Sequence, residues 1–144
     1  MIAGKDFIGI RVNGLLIDDQ QRVLLAKRHK ESTTYPSYWS LPGGTIEPHE
    51  GVVKALQRKI QEELGIEIEV VRLLTLTDDI FEETDLHWIG ITYLVRPKDP
   101  RCSPENHDTK DIEEIKWYGL GELPVRMTKQ TKDGVKAFEQ SARI

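Results

Sequence analysis

Residues 43–66 read GGTIEPHEGVVKALQRKIQEELGI, and the rest of the chain is organised around this stretch. Two glycines follow Leu41-Pro42, a run of good helix formers comes next, and Leu64-Gly65 closes it. Pro48 suits the first position of the helix and Gly65 its C-terminal cap. Val53, Leu56, Ile60 and Leu64 recur at i, i+3, i+7 and i+11, the spacing of a buried face. Glu62 points away from that stripe. Two adjacent carboxylates, Glu62 and Glu63, sit in the last turn, where the helix dipole disfavours each by a few tenths to about 1 kcal/mol. Something positive is needed beside them. Arg58 lies one turn before Glu62, Lys59 lies one turn before both acids, and a bound metal ion is the third candidate.

The flanks supply strands. Phe7 to Ile17 is β-rich and Arg22 to Arg28 is apolar in its middle, with the turn Asp18-Asp19-Gln20-Gln21 between them, a pattern that predicts a hairpin. His29 to Tyr38 is a polar loop over a site or a plain connector. Glu67 to Leu76 and Leu86 to Arg96 read as strands on either side of an acidic loop, Asp78 to Asp85. Pro97 to Lys110 is a polar loop and Ile112 to Tyr118 a short strand. Gly119 to Pro124 is a turn, and Thr131 to Arg143 is a terminal helix anchored by Val135 and Phe138. Strands, one long helix, more strands and a last helix predict a mixed α/β domain over residues 1–144.

A formal net charge of -4 with no long basic run argues against coating a nucleic-acid polymer. No apolar run approaches the roughly 18 residues of a membrane span, and MIAGKDFIGI has no long apolar core. The lone Cys102 cannot pair within the chain, which fits a reducing, cytoplasmic setting.

The spacing inside the opening stretch resembles the signature box of the Nudix hydrolases. Gly44, Glu50, Arg58, Ile60, Glu62, Glu63, Gly65 and Ile66 fall on the fixed positions of that box, and Lys59 stands where the family has glutamate. Trp39-Ser40-Leu41-Pro42-Gly43-Gly44, Trp117 and Glu122-Leu123-Pro124 resemble further family landmarks. The resemblance implies an α/β/α sandwich on a mixed sheet, with the box as a loop-helix-loop at one edge. It implies hydrolysis of a nucleoside diphosphate linked to another group X, a nucleoside triphosphate or a nucleotide-sugar such as ADP-ribose. Magnesium or manganese is the implied cofactor, because a pyrophosphate needs charge neutralisation and an activated water.

By the same resemblance, Glu62 and Glu63 are the metal-binding pair. Gly43 offers a backbone carbonyl, and Glu50 supports the metal or binds it through water. Arg58 holds the carboxylates in place. Lys59 completes this catalytic set with three roles open: turned to solvent, paired with Glu62 and Glu63 in place of a metal, or bound to substrate phosphate. A general base or extra ligand is open among Glu82, Glu83 and Asp85, or Asp108, Asp111, Glu113 and Glu114. Tyr35, Phe81, His87 and Trp88 are candidates to stack on a base, with core packing as each one's competing role. Arg28, at a strand end, can reach a phosphate. The expected partner is a small nucleotide, with self-association as a homodimer left open. The rival reading is the same fold with an impaired site, binding a nucleotide as a sensor.

Overall fold

A computed structural model describes residues 1–141. Its elements, in order, are β1 (Gly9–Leu16), β2 (Arg22–Arg28), β3 (Trp39–Ser40), β4 (Gly43–Thr45), α1 (Val52–Leu64), β5 (Ile68–Phe81), β6 (Leu86–Pro97), β7 (Ile112–Gly119) and α2 (Lys129–Ser141). One sheet has the order β4-β1-β6-β5, and the other β3-β2-β7. β1 runs parallel to β6, and the other pairings are antiparallel, so the larger sheet is mixed. This is the expected mixed α/β class. No helix among the described residues is long and apolar enough to cross a membrane.

Burial on both faces explains the layering. From Val12 to Leu16 every residue of β1 is buried, which is how a strand covered on two sides reads. Val12 and Leu16 pack with Leu56, Ile60 and Leu64 of α1. Leu15 points the other way and packs with Val135 and Phe138 of α2. β2 divides likewise, with Leu24 in the α1 cluster and Val23 and Leu25 in the α2 cluster. Each fully buried aliphatic side chain of this kind contributes about 1.5–3 kcal/mol.

Four expectations are corrected. β1 and β2 do not form a hairpin: they enter different sheets, and only an isolated bridge, Ile17 to Val23, links them past the turn. The turn is instead tied by Asp18, whose carboxylate accepts the Gln20 and Arg22 backbone N–H groups and the Arg22 guanidinium. The acidic segment is not all loop, because β5 runs on through Asp78 to Phe81 in register with Ile89 to Leu86. α1 begins at Val52 after an extended Gly51, four residues beyond Pro48. The buried face of α1 is Ala55, Leu56, Ile60, Glu63 and Leu64, whereas Val53 is 37% exposed. Val52 packs against the core instead, so the stripe is rotated and takes Glu63 inward. Gly65 caps the helix as expected, at φ 69° with its N–H on the Gln61 carbonyl.

Candidate active site

The charged end of α1 separates into an outer and an inner part. On the outer side Arg58 is the hub. Its Nε and Nη2 bond the two oxygens of Glu50 at 2.6 and 3.0 Å, and its Nη1 bonds Glu62 Oε1 at 3.1 Å. This is the bidentate fork for which arginine is suited. The hydrogen bonds from Arg58 hold the Glu50 carboxyl below the usual range, and Glu50 in turn makes Arg58 still harder to deprotonate. Lys59 Nζ lies 3.7 Å from the second oxygen of Glu62.

On the inner side Glu63 is buried, only 8% exposed, and its Oε1 accepts the Gly43 N–H at 3.0 Å. Burial pushes its carboxyl up, and the charges of Arg11 and Lys59 and the Gly43 bond only partly offset that. Gly43 sits at φ 154°, and a β-carbon there would strike the Val12 carbonyl. Only glycine lets β4 turn its N–H to the Glu63 carboxylate this close to β1.

Both Gly43 and Glu63 open onto a cavity of about 540 Å³. Register builds its floor. Arg11 stands opposite Gly90, Asn13 opposite Thr92, Asp79 opposite Trp88 and Phe81 opposite Leu86, so all share one sheet face. Arg11, Asn13, Asp79, Phe81 and Trp88 line the cavity, and Gln130 from α2 lies over Gly90. Arg11 Nε bonds Asn13 Oδ1 at 2.7 Å, and Asn13 Nδ2 donates to Gln130 Oε1. Tyr35, from the loop after β2, donates its hydroxyl to Asp79 Oδ1 at 3.0 Å and meets Phe81 edge-on with centroids 5.3 Å apart. Burial pushes the Tyr35 phenol up to about 12 and the Asp79 carboxyl up from its ordinary value. Arg28 also lines the cavity, bonded to the Thr34 carbonyl and hydroxyl at 2.9 and 3.0 Å. Burial, then the like charge of Arg11, lowers Arg28 to about 10.

The residues expected from the sequence are therefore divided. Gly43, Lys59, Glu63, Arg28, Tyr35, Phe81 and Trp88 meet at the cavity, as do Asp108 and Asp111. His87 does not: it lies on the opposite face of β6 from Trp88, with Nε2 3.0 Å from Asp78 Oδ1. Glu50, Arg58, Glu62, Glu82, Glu83, Asp85, Glu113 and Glu114 are not among its lining residues, although Glu62 lies 3.7 Å from the lining Lys59. Arg11, Asn13, Asp79 and Gln130 are among the lining residues that sequence reasoning missed. Their signal was faint: two polar side chains at alternate positions of an apolar strand, and a carboxylate two residues from Phe81.

A sequence model of the NUDIX domain matches residues 8–138. The chain belongs to the Nudix hydrolase family. It is 30% identical over 133 residues to the Mus musculus protein named 8-oxo-dGDP phosphatase NUDT18, covering 85% of this chain but 38% of that one. It is 33% identical over 109 residues to the nucleoside triphosphatase NudI of Escherichia coli O81 (strain ED1a), covering 72% of this chain and 74% of that one. The crystal structure of a MutT NUDIX hydrolase from Burkholderia pseudomallei superposes with a TM-score of 0.83 at 28% identity, covering 92% of this chain and 98% of that one. The chain thus spans 38% of the length of its mouse relative.

Within the Nudix box the donor chemistry fits a hard divalent ion in part. Adjacent carboxylates on one helix turn suit magnesium, which binds through one or two carboxylates and keeps its waters. Glu50 gives both its oxygens to Arg58, the arginine that also bonds Glu62. Among the described residues no three His, Cys, Asp or Glu side chains stand close enough to hold a metal by themselves. Glu62 and Glu63, with Gly43 beside them, are the residues that would hold it.

Proposed function

We propose that this Nudix chain hydrolyses a phosphoanhydride in a nucleoside diphosphate derivative, a nucleoside triphosphate or a nucleotide-sugar such as ADP-ribose. The carrying observation is one cavity lined by the Glu63 carboxylate, by the cations Lys59, Arg11 and Arg28, and by the aromatic side chains Tyr35, Phe81 and Trp88. That layout fits a ligand with a phosphate chain and an aromatic base. The names of the mouse and bacterial relatives, a deoxynucleoside diphosphate phosphatase and a nucleoside triphosphatase, support the same class.

Magnesium or manganese, when bound at Glu62 and Glu63, supplies charge neutralisation and a more acidic water. The chain's own residues do the rest. Arg58 fixes Glu62 from outside, and the Gly43 N–H fixes Glu63 from inside. Arg28 and Arg11 present guanidinium donors to the phosphates. Tyr35, Phe81 and Trp88 offer aromatic surface to the base, while Asp79, Asn13 and Gln130 offer donors and acceptors to its edge. Asp108 and Asp111, which also line the cavity, are the candidates to take the proton of the attacking water.

Chromatographic detection of the cleaved nucleotide products from nucleoside triphosphates, 8-oxo-dGDP and ADP-ribose, with Mg²⁺ and Mn²⁺ in turn, tests this reading. Turnover is expected with at least one of them, and Glu63→Gln is expected to lower it by about a hundredfold or more. Thermal stabilisation by the same nucleotides with no cleavage under either metal would favour the sensor reading. The observation on that side is the engagement of Glu50 and Glu62 with Arg58 and Lys59.

A further inference from the structure

Lys59 inverts the charge at a box position where the family carries an acid, and the structure shows where its side chain goes. It does not turn out to solvent. The side chain is 25% exposed and lines the cavity beside Glu63 and the Gly43-Gly44 strand. Its stem lies across Gly44, so that a β-carbon on Gly44 would collide with Lys59 Cε and fall 3.1 Å from Nζ. The missing side chain at Gly44 is the space the lysine uses.

The ammonium is not consumed by the protein. Among the described residues its one carboxylate within ion-pair range is Glu62, at 3.7 Å. That is nearly 1 Å beyond the usual length of about 2.7–2.9 Å for a charge-assisted hydrogen bond. The other Glu62 oxygen is already held by Arg58. An ammonium carries three donors, and among the described residues none of them meets an acceptor at hydrogen-bond distance.

Two more cations line the same cavity, Arg11 and Arg28, each bonded to the protein through only part of its guanidinium. The acids that line it are Glu63, Asp79, Asp108, Asp111 and Glu31. Asp79 accepts the Tyr35 hydroxyl at one oxygen, and Glu31 and Asp111 are exposed. Burial and mutual repulsion weaken the hold of Arg28 on its proton, so an anion between the cations would relieve both.

We propose that Lys59 is a direct ligand of the substrate's phosphate chain, and that with Arg11 and Arg28 it gives the site an affinity for pyrophosphate that does not depend on a divalent ion. This rests on the reading of the cavity as the seat of a nucleoside diphosphate derivative. The lysine then does part of the charge neutralisation that the acid at its position would leave to metal.

Titration calorimetry with inorganic pyrophosphate in excess EDTA tests it. Wild type is expected to bind. Lys59→Gln is expected to weaken binding about ten- to a hundredfold, the loss of one hydrogen bond to a charged group. Lys59→Arg should retain most of the affinity, and inorganic phosphate should bind less tightly than pyrophosphate. A second readout uses wild type alone: pyrophosphate should protect Lys59 from acetylation by acetic anhydride, measured by peptide mass spectrometry. Absence of binding in EDTA, equal binding by Lys59→Gln, or lack of protection would each overturn the proposal and leave Lys59 as a countercharge to Glu62 and Glu63. Lysine-dependent pyrophosphate binding in a chain that hydrolyses none of these nucleotides would sink the hydrolase reading and leave this one standing.

Discussion

Asp79 shows how much depends on a single side chain. It lies at the end of a strand, 5% exposed, and accepts the Tyr35 hydroxyl. Burial raises its carboxyl above the ordinary value, and the Tyr35 bond and the Lys129 charge only partly pull it back. An acid raised on folding binds its proton more tightly in the folded chain. The stability it contributes is complete below the unfolded value of about 3.9 and is lost as pH rises through the folded value. Asp79→Asn keeps an acceptor for Tyr35 and removes the titration. Urea unfolding of the ligand-free chain at a series of pH values should therefore show the variant gaining on wild type from about pH 3.5 to pH 7. A constant difference across that range would mean that Asp79 is not held up by burial. Arg58 offers a second test at this scale. Arg58→Lys keeps a charge but loses the fork that fixes Glu50 and Glu62. Turnover or metal affinity should drop about 10- to 100-fold, as when a ligand's outer support is removed, with little change in Tm. A large Tm loss would make Arg58 a structural residue instead.

Elements explain what was legible in the sequence and what was not. The spacing from Gly44 to Ile66 is local, so the box, the Gly65 cap and the pairing of Arg58 with Glu62 could be read directly. The inward turn of Glu63 could not. It depends on where α1 starts, and a start at Val52 makes Val52 rather than Val53 the core residue. The hairpin expectation failed for a related reason: turn chemistry between Leu16 and Arg22 is local, but choice of sheet is set by burial on both faces. Asp79 stayed hidden because the acidic segment looked like a loop, while pairing with β6 carries β5 through it to Phe81. Gly43 is the point where local and long-range demands meet. In Gly43→Ala the new methyl would strike the Val12 carbonyl and lie 2.9 Å from Asn13 Cα, at a φ that side chains rarely adopt. Destabilisation of about 1–3 kcal/mol is expected from the backbone strain. Calorimetric unfolding measures it, and unchanged stability would show that β4 does not hold this geometry in solution.

Across the whole molecule the site is a junction. α1 brings Lys59 and Glu63 to it, and β1 brings Arg11 and Asn13. β5 and β6 bring Asp79, Phe81 and Trp88, α2 brings Gln130, and the loop after β2 brings Tyr35. A ligand that touches all of them binds only the folded chain, so its free energy adds to folding stability by mass action. At a hundred times its dissociation constant the gain is about 2.7 kcal/mol. For a chain of this size that corresponds to a Tm rise of roughly 5–10 °C. A non-hydrolysable α,β-methylene nucleoside diphosphate with Mg²⁺ should produce such a shift. Phe81→Ala should shrink it by removing aromatic surface from the cavity, while pyrophosphate binding to Lys59, Arg11 and Arg28 should survive. If Phe81→Ala leaves the nucleotide shift intact, the base does not lie against the aromatic wall. The cavity would then be read by its phosphates alone. A shift lost for nucleotide and pyrophosphate together would instead mean that the variant has collapsed the cavity, which the Tm of the ligand-free variant would reveal.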